Sequence, residues 1–283
     1  KDDFFQSLSP LAYRLSPRYT ARVISFVNQK GGTGKTTSAV NLGAYLAALG
    51  QKVLLVDMDP QANATSGLGV AHRTLEAHVY HGLIGMGLTG ALIRKTGVFS
   101  YDILPTSPDL AGAVVELVSM PNRELKLAHM LDTVRATYDY ILVDAPPSLS
   151  LLTINSLVAA DELVIPVQCE YYALEGLGQL LGTLESLRRA VGRPLPVKGA
   201  LLTMYDKRLE LSREVEKQMR RTFPGRVFDA VIPRNVELAQ APSFGKPILQ
   251  FSPTSRGARA YRQLAEEILR LDRRESEQQL PLN

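Results

Sequence analysis

The stretch NQKGGTGKTTSAVNLG, Asn28–Gly43, places Lys30 and Lys35 at the two ends of a glycine-rich run. Gly31, Gly32, Thr33 and Gly34 lie between them, and Thr36 and Thr37 follow. Glycines let successive backbone N–H groups converge on phosphate oxygens without side-chain obstruction. A helix opening directly after the run would add partial positive charge. Lys35 is then placed to reach β- and γ-phosphates, Thr36 to offer a hydroxyl to Mg²⁺, and Thr37 to support an α-phosphate. The general pattern G-x-x-x-x-G-K-[ST] would put its first glycine at position 29, where this chain has Gln29 followed by Lys30.

Acidic residues close two apolar runs. KVLLVDMDPQ ends in Asp57 and Asp59, and YDYILVDAPPSL ends in Asp144. An aspartate at such a strand end, beside a phosphate loop, suits a partner of Mg²⁺ acting through a bound water. This is the reading for Asp144 and one of two for Asp57, whose alternative is to cap the helix that follows. Asp59, past the strand end and before Pro60, is better placed to orient an attacking water. His72, His78 and His81, with Glu76 as the one acid among them, are read as ordinary exposed histidines rather than a metal-ligand set.

The elements that must position these groups follow from periodicity. Near-continuous Val/Ile/Leu runs predict strands over 22–28, 52–57, 101–105, 138–144, 162–167, 197–203 and 227–233. Helices are expected over 35–49, 109–119, 122–137, 151–159, 173–191, 209–222, 235–241 and 255–272. The alternation predicts an α/β fold: one doubly wound, mostly parallel sheet flanked by helices, with ligands beyond the carboxyl ends of its strands. Residues 67–100, rich in glycine, are the least regular part. The expected organisation is an N-terminal extension, weakly ordered or loosely docked, over 1–21, a single domain over 22–272, and a polar tail over 273–283.

Composition narrows the function classes. The chain has 283 residues, 45% of them hydrophobic, and one cysteine, Cys169, so neither an internal disulfide nor a cysteine metal cluster is expected. No apolar run reaches membrane-spanning length, and no secretory leader is recognisable, so the cytoplasm is the expected compartment. Residues 1–187 carry 13 Lys and Arg against 17 Asp and Glu, a balance of −4, while 188–283 carry 19 against 11, a balance of +8. A basic final third suggests a surface for an anionic partner.

These segments resemble a known family. KGGTGKTT looks like the deviant Walker A motif of the ParA/MinD ATPases. VLLVDMDPQANATSGLG, YDYILVDAPPSLS, VQCEYYALEGLGQLL, LLTMYD and VIPRNVELAQAPSFGKPI are similar to its ParA/Soj partition branch. The resemblance implies a P-loop fold that binds ATP and Mg²⁺, and slow, partner-stimulated hydrolysis. It implies a nucleotide-sandwich homodimer in which Lys30 contacts the partner subunit's ATP, with Glu170 at the interface. Asp59 would position the hydrolytic water and Asp144 would be the Walker B acid. Pro233, Arg234 and Asn235 would lie near the adenine. Non-specific double-stranded DNA would be bound through Arg208, with Lys207 and Arg213 nearby, in a nucleoid-associated protein released by a ParB-like activator. This chain departs from the pattern at Ala62, where the family often has glycine, at Gln240, and at Glu237, where a basic residue is common. The alternative is a MinD-like positioning ATPase, which needs a lipid-binding C-terminal amphipathic helix. A nitrogenase-type iron–sulfur reductase is disfavoured by the lone cysteine.

Overall fold

A computed structural model describes residues 21–170 and 173–278. The extension expected over 1–21 lies outside these residues except for Ala21, as does the tail from 279 onward. The strands are β1 Arg22–Phe26, β2 Val53–Asp57, β3 Arg94–Lys95, β4 Tyr101–Leu104, β5 Tyr140–Asp144, β6 Glu162–Gln168 and β7 Val197–Thr203. They form one sheet in the order β3-β4-β2-β5-β1-β6-β7. Every pairing is parallel except β3 with β4.

The helices are α1 Lys35–Ala48, α2 Asn63–Gly67, α3 Val79–Leu83, α4 Thr89–Leu92, α5 Leu110–Val118 and α6 Lys126–Asp132 in the first half. In the second half they are α7 Leu151–Ala159, α8 Ala173–Val191, α9 Glu210–Thr222, α10 Val236–Gln240, α11 Ile248–Phe251 and α12 Arg256–Gln278. Helices cover both faces. β2 and β5 are buried at every position, which is why their sequences are continuous runs of apolar residues rather than alternating ones. Side chains alternate across the sheet: Leu54, Val56, Ile141 and Val143 pack in one core, and Val53, Leu55, Tyr140 and Leu142 in the other.

Two register facts place the chemistry. Asp57 lies opposite Asp144 in the β2–β5 pairing, and Asp144 lies opposite Phe26 in the β5–β1 pairing. The two strand-end acids and the start of the phosphate loop therefore share one sheet edge. α1 is held against the sheet's flank by α12, with Ser38 Oγ 3.1 Å from Tyr261 Oη. The Asn41 carboxamide accepts the Ile248 N–H at 2.7 Å. At the opposite sheet edge, Lys198 donates to Glu162 at 2.7 Å and Asp272 at 2.6 Å, while Arg22 donates to Asp272 at 2.9 Å and Glu275 at 2.7 Å.

Several expected elements differ. Residues 227–233 do not form a strand; only isolated parallel bridges join Ala200 to Val227 and Tyr205 to Pro233. The N–H groups of Asp229 and Ala230 donate instead to the Glu267 carboxylate, at 2.9 and 3.0 Å. The helix expected over 122–137 is broken into α6 flanked by short 3₁₀ turns. Asn155 intervenes: its oxygen accepts the Leu127 N–H at 3.0 Å and its amide donates to the Arg123 carbonyl at 2.8 Å. α12 runs to Gln278, beyond the boundary at 272.

Candidate nucleotide site

The phosphate loop joins β1 to α1, and one side chain of its own and two from neighbouring strands fix its shape. Asn28 donates to the Pro166 carbonyl at 2.7 Å and accepts the Lys30 N–H at 3.0 Å. Gln168, closing β6, donates to the Gly32 carbonyl at 2.9 Å. Thr203, closing β7, donates to the Thr33 carbonyl at 2.8 Å. Gly32 and Gly34 have φ of 72° and 90°, the left-handed region that a side chain would strain. Gly34 is also the N-cap of α1, so the helix opens onto the loop with its first N–H groups free of intrahelical partners.

The loop walls a cavity of about 660 Å³. Gly31, Gly32, Gly34, Lys35, Thr36 and Thr37 line it on the phosphate side, with Asp59 facing them. Thr33 is buried, its carbonyl spent on Thr203. Lys35 is itself buried, and its ammonium lies 3.4 Å from the Lys30 carbonyl. Burial lowers the Lys35 pKa, while the charges of Asp144 and Asp59 oppose that shift.

The two strand-end aspartates have different surroundings. Asp57 accepts the Thr65 N–H at 2.8 Å, the Thr65 hydroxyl at 2.7 Å and the Asp59 N–H at 3.2 Å. Its carboxylate thus caps the first turn of α2 from outside the helix. Burial still pushes its pKa up to about 6, against those hydrogen bonds. Asp144 is fully buried, and neither oxygen has a hydrogen-bond partner among the described residues. Burial first, then the charge of Asp57, raises its pKa well above the ordinary carboxylate range. The Thr36 hydroxyl favours the ionised form from nearby without reaching hydrogen-bond geometry.

A buried carboxylate with two unpaired oxygens is costly unless a cation or donor completes it. Thr36 on the cavity wall and Asp144 behind it therefore fit a divalent cation, with the hydroxyl as ligand and the carboxylate acting through water. Asp59 is only 8% exposed and accepts the Gln61 N–H at 3.0 Å. Ala62, where the resembled family often has glycine, has φ of 54° and is fully buried, so this position does take up a glycine-favouring conformation.

Lys30 does not line the cavity. Its ammonium lies 3.4 Å from Glu170 Oε2, and Arg234 reaches the other Glu170 oxygen at 3.6 Å. Pro233, Arg234 and Asn235 are also absent from the wall among the described residues. Asn235 instead caps α10, accepting the Leu238 N–H at 3.1 Å. Met204, Ala241, Pro242, Ser243 and Lys246 also line the cavity; they lie within LLTMYD and VIPRNVELAQAPSFGKPI but were not among the residues expected to hold the nucleotide. Gly245 carries the signal that could have found them: with φ of 61°, a Cβ there would lie 2.7 Å from the Gly69 Cα, so the segment is pressed backbone to backbone.

The residues expected to meet DNA follow one wall residue closely. Met204 lines the cavity, and Lys207, Arg208 and Arg213 come just after it and are exposed. Arg208 grips Asp206 through both oxygens, at 2.9 and 2.6 Å. The Arg213 guanidinium donates to the Lys207 carbonyl at 2.7 Å.

Comparison with known proteins agrees with this geometry. Residues 21–197 match the family described as an AAA domain. The chain is 53% identical over 253 residues to the chromosome-partitioning ATPase Soj of Thermus thermophilus, covering 89% of this chain and 97% of that protein. It is 50% identical over 247 residues to the sporulation initiation inhibitor protein Soj of Bacillus subtilis, covering 87% and 98%. Among solved structures, it superposes on a cobyrinic acid a,c-diamide synthase of Mycobacterium smegmatis bound to an ATP analogue and magnesium. That match has a TM-score of 0.78 and 35% identity, covering 89% and 96%. The cell-division ATPase MinD of Pyrococcus furiosus gives a TM-score of 0.74 at 28% identity, covering 89% and 99%.

Proposed function

The chain belongs to the ParA/Soj family of chromosome-partitioning ATPases, and from that membership we propose that it is an ATP-driven switch for DNA segregation. ATP is the substrate and Mg²⁺ its companion ion. The α1 N-terminus and Lys35 hold the β- and γ-phosphates. Thr36 and Asp144 hold the magnesium ion, with Asp57 a further partner through water. The ion neutralises charge on the phosphate oxygens. Asp59, facing the phosphate side of the cavity, orients the attacking water. Pro233, Arg234 and Asn235 close around the adenine only if their segment shifts toward the wall made by Met204 and Lys246.

One observation carries the dimer. Lys35 already supplies the buried cation of its own cavity, and Lys30 points out of it toward Glu170. Lys30 thus serves the nucleotide of a second copy. ATP joins two copies, and their basic surfaces, including Lys207, Arg208 and Arg213, bind DNA phosphates without sequence preference. Hydrolysis, stimulated by a ParB-like partner, releases them, which makes the protein cytoplasmic and nucleoid-associated.

The MinD-like alternative needs an apolar helix face free for lipid. On α12 the residues that would form it, Tyr261, Leu264, Ile268 and Leu271, are buried in the core. No described helix is long and apolar enough to cross a membrane. The deciding experiment is DNA binding with ATP, with ADP and without nucleotide, at several salt concentrations. Binding confined to ATP and weakening steeply with salt is the expected result. Equal binding in all three states, or ATP-dependent capture by liposomes instead of DNA, would overturn the reading.

A further inference from the structure

Two adjacent strand ends meet the phosphate loop. Gln168 and Thr203 lie opposite each other at the close of the β6–β7 pairing, and just beyond it the Cys169 N–H donates to the Thr203 carbonyl at 3.1 Å. Both side chains are buried. Each gives a donor to one loop carbonyl, Gln168 Nε2 to Gly32 and Thr203 Oγ1 to Thr33. Those carbonyls belong to consecutive peptide groups.

The consequence lies on the far side of each peptide plane. In a trans peptide the C=O and the N–H of the next residue point in opposite directions. With the Gly32 carbonyl turned to the end of β6, the Thr33 N–H faces away from it. With the Thr33 carbonyl turned to the end of β7, the Gly34 N–H does the same. Neither N–H has a hydrogen-bond partner among the described residues. Gly32 and Gly34 have left-handed φ and Thr33 between them does not, an alternation that curls successive N–H groups into an anion-binding concavity. Glycine beside a peptide group also lets that group flip at little steric cost, and a flipped group would present its carbonyl oxygen to a phosphate. Gln168 has a second contact: its Nε2 lies 3.1 Å from Met204 Sδ. Met204 lines the cavity with φ of 52°, a conformation that strains a residue bearing a side chain. One amide thus ties the loop to another part of the cavity wall.

We propose that Gln168 and Thr203 are positioning residues for ATP: by holding two consecutive loop carbonyls toward the strand ends, they keep the Thr33 and Gly34 N–H groups aimed at the phosphates before the nucleotide arrives. Neither side chain lines the cavity, so each acts through the loop. This role rests on the reading of Gly31–Thr37 as the loop that holds the phosphates. Donors aimed in advance need no reorganisation when the charge arrives.

Titration calorimetry of the full chain with Mg-ATP tests this on Gln168→Leu, Thr203→Val and Thr203→Ser. The Leu and Val variants keep most of the volume and remove the donor, while the Ser variant keeps the hydroxyl. Losing the aim of one N–H at a charged phosphate should weaken Kd about tenfold in the Leu and Val variants, with Thr203→Ser within about twofold of the wild type. Amide NMR adds a signature that general loosening would not give. On addition of Mg-ATP, Gln168→Leu should lose the resonance shift of Thr33 and keep that of Gly34, and Thr203→Val should do the reverse. Should Gln168→Leu fail to fold, the two Thr203 variants carry the test. Wild-type affinity in Thr203→Val, or a Thr203→Ser chain as weak as Thr203→Val, would overturn the positioning role. Lys35→Ala separates the two levels: retained ATP affinity there would sink the loop reading itself, whereas loss there beside wild-type affinity in Gln168→Leu and Thr203→Val would sink the positioning role alone.

Discussion

Replacing Asp144 with asparagine should stabilise the ligand-free protein and remove its response to magnesium. Asp144 is 0% exposed, its two oxygens have no hydrogen-bond partner among the described residues, and it faces Asp57 across adjacent strands. An uncompensated buried carboxylate costs several kcal/mol. The amide that replaces it leaves a buried donor unpaired, at about 1–3 kcal/mol. The net gain is about 2 kcal/mol, a rise in Tm of roughly 4–8 °C for a domain of this size. The pH dependence has a definite sign. The folded-state pKa of Asp144 is raised, so the folded chain keeps a proton that the unfolded chain releases. The stability linked to that proton is fully present below the ordinary carboxylate value and is lost as pH rises toward the raised one. The loss is at most about 1.4 kcal/mol per pH unit for one proton. Asp57, with its pKa near 6, contributes in the same direction between the ordinary value and that pH. The advantage of the variant over the wild type should therefore grow from pH 5 to pH 8. Thermal unfolding followed by circular dichroism, in EDTA at several pH values and then with Mg-ATP, measures both effects. At a hundredfold excess over Kd, ligand stabilises the wild type by about 2.7 kcal/mol, whereas the variant should respond equally to ATP with and without magnesium. A variant that melts below the wild type at pH 8 in EDTA, or an advantage that does not change with pH, would refute the reasoning.

Lys30→Ala should still bind ATP as a monomer, since the Lys30 side chain is outside the cavity and only its backbone carbonyl meets Lys35; an ATP-dependent dimer of normal size in light scattering would remove its cross-subunit role. Asp59→Ala should bind ATP and hydrolyse it at least about a hundredfold more slowly, as expected when a water-positioning group is lost, and phosphate release at the wild-type rate would exclude that role. Gly43→Ala should destabilise the fold by about 1–3 kcal/mol, because a Cβ there would lie 2.3 Å from the Tyr101 hydroxyl, which donates to the Ala39 and Val40 carbonyls. An unchanged urea midpoint would show that α1 can move away from β4.

The strands that carry the chemistry were legible because β1, β2 and β5 are covered on both faces and must be apolar throughout. The run VFDAVIP has the same composition and was misread. Its fate depends on Glu267, distant in sequence, whose carboxylate takes two successive N–H groups, that of Ala230 among them, which would otherwise continue the bonds Phe228 and Ile232 make to β7. β3 is the reverse case: Arg94 and Lys95 pair with β4 without any apolar signal. On the cavity wall, Gly31, Gly32 and Gly34–Thr37 could be anticipated from the spacing of a phosphate loop, and Asp59 from its place just past a strand end. Gln168 and Thr203, which pin the loop's carbonyls, could not, since nothing in their local sequence relates them to residues more than a hundred positions earlier. For Asp57 the cap on α2 became visible only with Thr65 in view.

The grip of the last helices on α1 bears on how the protein is made. The phosphate loop emerges from the ribosome early, but the Ile248 N–H held by Asn41 and the Tyr261 hydroxyl beside Ser38 arrive near the end of synthesis. Ala241–Ser243 and Lys246, one wall of the nucleotide cavity, are also late. A nascent chain thus displays the whole phosphate motif for most of its translation without having the site. A chain cut short before Ile248 should therefore carry the motif yet lack the contacts of Ile248 and Tyr261 that hold α1 in place.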